Sequence, residues 1–352
     1  MMDASDAGEP TPPPEAAPPP EAASAAGAPA AGGPAGPWHA KLTRAVEVRN
    51  VGILLPFVAL FISLSIASSP FATKTNLLQI LDQQAATLII AAAGTLVLVA
   101  GGIDLSVGAT YSLAGVTAAR MAEHTSPAVA ILIGIAAGVL VGAVNGLVVT
   151  VLRINSLIVT LATAFIAGGV ATRITNGNLL VLFDHPSFGD LAKTEALGVK
   201  TSIWIMLAAV IVIGFVLGRA TVGRYIYAVG GNDQAALLAG VPVNAVRVLT
   251  FVLSGAAAGL AGVLDTARVL SAQASTGDIN LTFSVLTGIV VGGTSILGGI
   301  GAVWRTVVGV LFIALIYNGY ELLHFNVVYE PIILGVILIA AVALDSWSRR
   351  RQ

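Results

Sequence analysis

Residues 128–151 read AVAILIGIAAGVLVGAVNGLVVTV, a run without one Asp, Glu, Lys or Arg. A helix needs about 20 mostly apolar residues to cross the hydrocarbon core of a bilayer, and this run supplies them. Membrane β-strands would be about ten residues long with strict alternation, which the run lacks. Comparable stretches recur from Val51 onward, near 51–68, 77–100, 105–119, 128–151, 156–173, 203–218, 247–264, 280–298, 302–320 and 329–346. The expected fold is therefore an all-α polytopic membrane protein with about ten transmembrane helices. The short 105–119 and the Gly-rich 280–298 segments also read as re-entrant. Within 128–151, Gly134, Gly138 and Gly142 recur every four residues, a spacing that suits close helix contact inside a bilayer, within one subunit or at a dimer seam.

Composition agrees. Of 352 residues, 56% are hydrophobic and only 10% charged, where a soluble domain carries about 25% charged residues. Too few charges remain to clothe a water-facing surface of this size, so much of the surface must face lipid. A net charge of −1 lacks the basic footprint expected of a nucleic-acid binder. The chain has no cysteine, which excludes disulfides, thiolate metal sites and thiol nucleophiles.

Residues 1–40 form an Ala/Pro/Gly-rich stretch whose acids are Asp3, Asp6, Glu9, Glu15 and Glu21. Such sequence buries too little apolar area to offset ordering entropy, so a disordered tail is expected. Its start is neither basic nor apolar, unlike a signal peptide. A membrane-spanning domain is expected over 41–348, followed by a basic end at 349–352. With the N-terminus inside and ten spans alternating, eleven Lys/Arg fall on the cytoplasmic side and six outside. That bias places both termini in the cytoplasm. Two hydrophilic segments remain, roughly 174–202 outside and 219–246 inside.

The inner segment contains Gly230-Gly231-Asn232-Asp233-Gln234-Ala235-Ala236-Leu237-Leu238-Ala239-Gly240-Val241-Pro242. Asn232 or Asp233 can cap a helix start, Gln234 to Ala239 favour helix, and Gly240 followed by Pro242 ends it. The result is a short cytoplasmic helix with a small, smooth surface, suited to a partner's groove or simply connecting two spans.

A second motif, Gly101-Gly102-Ile103-Asp104-Leu105-Ser106-Val107-Gly108, interrupts an apolar run. Paired glycines break or kink a helix, and the freed backbone groups need partners. Asp104 sits at that break at membrane depth, where an acid is costly and marks a candidate functional site. Asp104 or Ser106 can equally cap the helix that follows. Asp104, Ser106, Asn145, Thr160, Thr163 and Asn318 are the polar groups inside spans that can line a solute path, although each can also bond back to its own helix. Gly101-Gly102 and Gly292-Gly293 hint at an internal repeat.

These motifs resemble one family. Permeases of ATP-binding-cassette importers carry a cytoplasmic Glu-Ala-Ala, three residues, then Gly; here Gln234-Ala235-Ala236 precedes Gly240 at that spacing. The surrounding run and the motif from Gly101 to Gly108 resemble the ribose/xylose/galactose permease family, as do Leu253-Ser254-Gly255 and Val290 through Gly299, including Gly292 and Gly293. The similarity extends over about residues 50–348. Gln234 replaces the usual Glu, Asn155-Ser156 stand where Pro-Pro is common, and Trp304-Arg305 replace small residues. The resemblance implies a coupling role for Asn232, Asp233, Gln234, Ala235, Ala236, Gly240 and Pro242. It also implies a second permease copy in a homo- or heterodimer, an ATPase subunit below, and a periplasmic or lipid-anchored substrate-binding protein outside. The cargo it implies is a sugar or sugar-like solute, carried across a bacterial cytoplasmic membrane; nucleosides, a furanone autoinducer or branched-chain amino acids are alternatives for the same machine.

No Gly-Lys-Ser/Thr phosphate loop occurs, so ATP is expected on the partner and no cofactor on this chain. No His/Glu metal spacing and no Gly-x-Ser-x-Gly elbow occur, so neither a metal site nor catalytic residues are expected. An ion-coupled carrier is the rival of another class; it needs titratable groups near the midplane, and only Asp104 is offered from sequence.

Overall fold

The computed structural model describes residues 37–350. The tail expected over 1–40 lies outside the described residues up to residue 36, and from Pro37 the chain is helical. The helices are α1 (Pro37–Ala67), α2 (Lys74–Val99), α3 (Val107–Ala122), α4 (Pro127–Val151), α5 (Ser156–Thr175), α6 (Asp190–Lys193) and α7 (Thr201–Gly218). They continue with α8 (Thr221–Gly231), α9 (Asp233–Leu238), α10 (Val243–Val269), α11 (Ile279–Val291), α12 (Val303–Leu322) and α13 (Glu330–Arg350). From Val46 onward the described residues form one compact unit.

Local chemistry sets several of these boundaries. The Thr73 hydroxyl accepts from the Asn76 amide to start α2, and Asn155 Oδ1 accepts from the Leu157 amide to start α5. Asp278 Oδ1 accepts from the amides of Asn280 and Leu281 at the head of α11. Each satisfies donors that a helix start leaves without an intrahelical partner. Pro127 sits at the head of α4, where its missing N–H costs nothing.

Each of the ten stretches expected from sequence carries a helix. Six described helices, α2, α4, α5, α7, α10 and α12, are long and apolar enough to cross a membrane. Residues 52–67, 279–291 and 331–343 form shorter apolar helices. The expected 280–298 segment is not one helix: α11 stops at Val291, and Gly293 turns the chain with φ +82°. Its 13 residues span about 20 Å, short of a hydrocarbon core of about 30 Å. The expected 105–119 segment begins at Val107 as α3, after the irregular stretch 102–106.

Helices α2 and α10 are the most buried of the spanning set and lie in contact at the centre, with α3 and α4 against α10, and α7, α11 and α12 against α2. Lipid tails are as apolar as Leu, so close packing rather than the hydrophobic effect holds such a bundle together. The α4 glycines serve this packing within the chain. A Cβ added at Gly138 or Gly142 would lie 2.3 Å from the carbonyl oxygen of Gly255 or Phe251 on α10, and one at Gly134 would meet Val263 at 2.6 Å.

The hydrophilic 174–202 segment is folded, not loose. Its strand β1 (Leu180–Val181) pairs antiparallel with β4 (Ser271–Ala272) just beyond α10, and β2 (Glu195–Ala196) pairs with β3 (Val199–Lys200) in a hairpin. Leu182 and Phe188 are fully buried beneath it.

Candidate functional site

Helix α9 takes the form its residues dictate. Asn232 is the N-cap in an extended conformation, and its Oδ1 accepts from the Ala235 amide at 2.9 Å. At the other end the amides of Gly240 and Val241 donate to the carbonyls of Leu237 and Ala236, with Gly240 in the left-handed region at φ +82°. Ala236 is the only buried residue of α9 and packs with Ile226, Val229, Val241, Val243 and Val246. Asn232, Asp233, Gln234, Ala235, Leu237 and Leu238 are exposed, Leu238 to 89%. Asp233 Oδ2 accepts from Arg247 Nη2 at 3.0 Å, an exposed pair worth about 0–1 kcal/mol. The helix is thus bolted down through one small side chain and presents the rest of its surface.

Gly240 tests that construction. Nothing lies within 4 Å of a Cβ added there, so substitution carries only the conformational cost of a positive φ. Gly240→Ala is expected to lower stability by about 1 kcal/mol, and Gly240→Asn by less, because Asn tolerates the left-handed region. Thermal unfolding of the purified variants measures both; equal losses for Ala and Asn would contradict the backbone explanation.

Behind α9 the chain is fastened to two breaks in the bundle. Helix α8 ends in Gly230-Gly231, which pack on the end of α2 and on Gly298-Gly299 of the loop after α11. The Gly299 amide donates to the Val99 carbonyl at 2.9 Å, and a Cβ added at Gly298 would lie 2.9 Å from the Gly101 Cα. Tyr227 of α8 donates to the Gly301 carbonyl at 2.8 Å. Burial pushes that phenol above its ordinary value against the opposing Arg305 charge. Three glycine pairs, 101–102, 230–231 and 298–299, let these backbones touch directly.

The break after α2 gathers four of the six polar groups singled out from sequence. Asp104 Oδ1 accepts from the Ser106 amide at 3.0 Å and the Ser106 hydroxyl at 2.6 Å, while Oδ2 accepts from Ser254 of α10 at 2.8 Å. Asn145 Nδ2 of α4 donates to Ser106 Oγ at 2.8 Å, and Thr160 Oγ1 of α5 accepts from the Leu105 amide at 3.0 Å. The carboxylate does not cap α3 in the usual way, since Ser106 holds the cap position without a side-chain cap bond. It ties the broken backbone to α10 instead. Thr163 bonds back to the Val159 carbonyl of its own helix, and Asn318 exchanges amide bonds with Asn76 at 3.0 Å, away from this network.

Two cavities lie at opposite ends of α2 and α10. The one beside α9 measures about 1000 Å³. Its walls come from Gly101 to Ile103 at the break, Arg153 to Leu157 at the start of α5, Asp233, Gln234 and Leu237, and Asn244 and Arg247 at the start of α10. The second measures about 500 Å³ and is walled by the first turns of α2, the β2–β3 hairpin and Arg268 at the end of α10. None of the six polar groups predicted to line a path is on either wall.

Sequence reasoning overlooked two acids at this end of the bundle, Asp82 on the wall of the second cavity and Asp265, which pairs with the wall residue Arg268. Asp82 of α2 is 5% exposed; Lys200 Nζ donates to its Oδ2 at 2.7 Å and the Ser202 hydroxyl donates to its Oδ1. Asp265 of α10 accepts from Arg268 at 2.6 Å and from the Tyr111 hydroxyl at 2.5 Å. Asp104 is therefore not the only acid within the bundle. The available signal was Gln79, Asp82 and Gln83 on one helical face of an otherwise apolar run.

Similar proteins have a consistent character. The L-arabinose transport system permease protein AraH of Escherichia coli (strain K12) is 36% identical over 302 residues, covering 86% of this chain and 92% of that protein. The ribose import permease protein RbsC of the same organism is 35% identical over 305 residues, covering 86% and 94%. RbsC of Bacillus subtilis (strain 168) is 35% identical over 295 residues, covering 82% and 91%. No solved structure matches the chain. Residues 76–342, from the first turn of α2 into α13, match a family described as the permease component of the branched-chain amino acid transport system. By that match and by these identities over most of its length, the chain belongs to this family of transport permeases.

Proposed function

We propose that this chain is the membrane-spanning permease subunit of an ATP-driven importer that moves a sugar or sugar-like solute across a bacterial cytoplasmic membrane. The observation that carries this reading is α9, capped by Asn232, closed by Gly240, seated through Ala236 and otherwise exposed. Such a helix fits a groove on a separate ATPase subunit, where ATP is bound and hydrolysed, and this chain needs no cofactor of its own. Asn232 to Ala236, Gly240 and Pro242 form the coupling element, and Gln234 engages the ATPase through hydrogen bonds rather than an ion pair. A second permease copy completes the path, and a substrate-binding protein delivers solute on the face opposite α9.

Both termini in the cytoplasm agree with the eleven-to-six distribution of basic residues; six helices span by length, and in a ten-span topology the remaining crossings fall to the shorter segments. The cavity beside α9 then opens to the cytoplasm and the one beside the β2–β3 hairpin to the outside. Asp104, Ser106, Asn145 and Thr160 hold the broken helix between them. Thr163 and Asn318, engaged with the Val159 carbonyl and with Asn76, serve helix structure and packing rather than the path.

The family description names branched-chain amino acids, while the curated relatives are named for L-arabinose and ribose. Identities of 35–36% over 86% of the chain favour a sugar. Uptake of radiolabelled L-arabinose, D-ribose and L-leucine by cells expressing the complete transporter decides the matter. A sugar accumulates and leucine does not; accumulation of leucine alone would overturn the sugar assignment and leave the permease assignment standing.

A further inference from the structure

We infer that the chain carries its own neutral-polyol site in the cavity at the end of the bundle opposite α9. The inference rests on the sugar reading above. At about 500 Å³ the cavity falls within the range of small-molecule pockets. One part of its wall is fixed. Lys200 and Ser202 hold Asp82, and Asp265 holds Arg268 with Tyr111 behind it, so the buried charges are set in place before any ligand arrives. An acid within a spanning helix is costly and marks a functional site by default. An apolar residue of similar volume would pack here as well as a buried acid does, and its partner Lys200 is exposed, so helix packing alone does not account for Asp82.

The other part of the wall is free. Gln79 and Gln83 flank Asp82 at i−3 and i+1, exposed on the cavity, and neither hydrogen-bonds to another described residue. Lys74 and Glu195, also exposed and also on the wall, form no ion pair among the described residues. The wall therefore offers both donors and acceptors. Its charges balance once Asp265, which is off the wall but pairs with Arg268, is counted: Lys74, Lys200 and Arg268 stand against Asp82, Glu195 and Asp265. A neutral wall of mixed polarity suits a ligand whose hydroxyls each donate and accept, whereas an acidic or basic ligand would require a wall of one sign.

Trp204 supplies a reporter. Its Nε1 donates to the Ala196 carbonyl of the hairpin that forms one wall, and the ring is 41% exposed. The full chain, reconstituted in lipid nanodiscs without partners, is titrated with D-ribose and with L-arabinose while tryptophan fluorescence is followed. Saturable quenching by at least one sugar is expected, with a Kd on the order of 1 mM. The double substitution Gln79→Leu/Gln83→Leu weakens it about tenfold, since two hydrogen-bonding groups are lost. Gln84→Leu, one residue along and off the cavity wall, leaves it unchanged.

No saturation by about 50 mM of either sugar, or quenching that the double substitution leaves intact, would overturn the site. Sugar binding without sugar uptake by the complete transporter would keep this site and defeat the functional reading. Uptake without binding to the isolated chain would do the reverse. Loss of stimulation by the substrate-binding protein in the double variant, with sugar binding unchanged, would assign this face to protein docking and also overturn the inference.

Discussion

Gly230→Ala reduces ATP-driven uptake to background, while Gly231→Ala, one residue later, leaves it near the wild-type rate. Space makes the difference. A Cβ at Gly230 would lie 1.6 Å from the Val99 carbonyl oxygen and 2.7 Å from the Gly299 nitrogen, and both are backbone atoms. No side chain can swing away to make room. The hydrogen bond from Gly299 to Val99 would have to open and α8 would have to move, which carries Asn232 and α9 with it. Overpacking of this sort costs about 1–3 kcal/mol or more in a tight core. A Cβ at Gly231 meets nothing within 4 Å. Uptake and thermal unfolding midpoint, measured together, check the pair; equal behaviour of the two variants would mean that α8 does not bear on the breaks.

Asp104→Ala destabilises the folded chain by several kcal/mol, and Asp104→Asn by much less. The carboxylate accepts three hydrogen bonds from two residues, and alanine leaves the Ser106 amide and the Ser254 hydroxyl without that partner. Each orphaned group in a dry setting costs about 1–3 kcal/mol. Asparagine keeps one acceptor oxygen and can donate to a serine hydroxyl in place of the other bond. The same pair of variants separates the two roles open to this residue from sequence. A brace lowers the unfolding midpoint in Asp104→Ala without altering the KM of the uptake that survives. A solute contact raises KM in both variants while leaving the midpoint alone.

The parts that were legible in the sequence are those decided by neighbours in the chain. Asn232 and Gly240 bracket α9 because a cap and a left-handed residue act within a few positions. Long uncharged runs announced α4 and α7 for the same reason. What stayed hidden depends on partners far along the chain. Lys200 reaches Asp82 across 118 positions, and β1 pairs with β4 across some ninety; no periodicity in an apolar run reveals either. The glycine spacing in α4 signalled a close contact, yet only the packed structure supplies the partner, Gly255 and Phe251 of α10. Asp104 was conspicuous as an acid in an apolar region, but its hydrogen bond to Ser254 turns the likeness of a cap into a brace between elements. Hydropathy stays high through Gly292-Gly293 and hides the end of α11 at Val291, where the backbone turns at Gly293.

The coupling of this chain to ATP is tested most directly by sugar uptake into proteoliposomes that hold the permease with its co-expressed ATPase, with ATP inside or absent, beside Ala236→Glu. That substitution drives a carboxylate into the apolar seat of α9 formed by Ile226, Val229 and Val241 with Val246 at the start of α10, and changes no residue of a spanning helix. Uptake that requires ATP in the wild type and disappears in Ala236→Glu, with the protein still folded in the membrane, is the result this account predicts. Uptake that proceeds equally without ATP, and equally in Ala236→Glu, would contradict it.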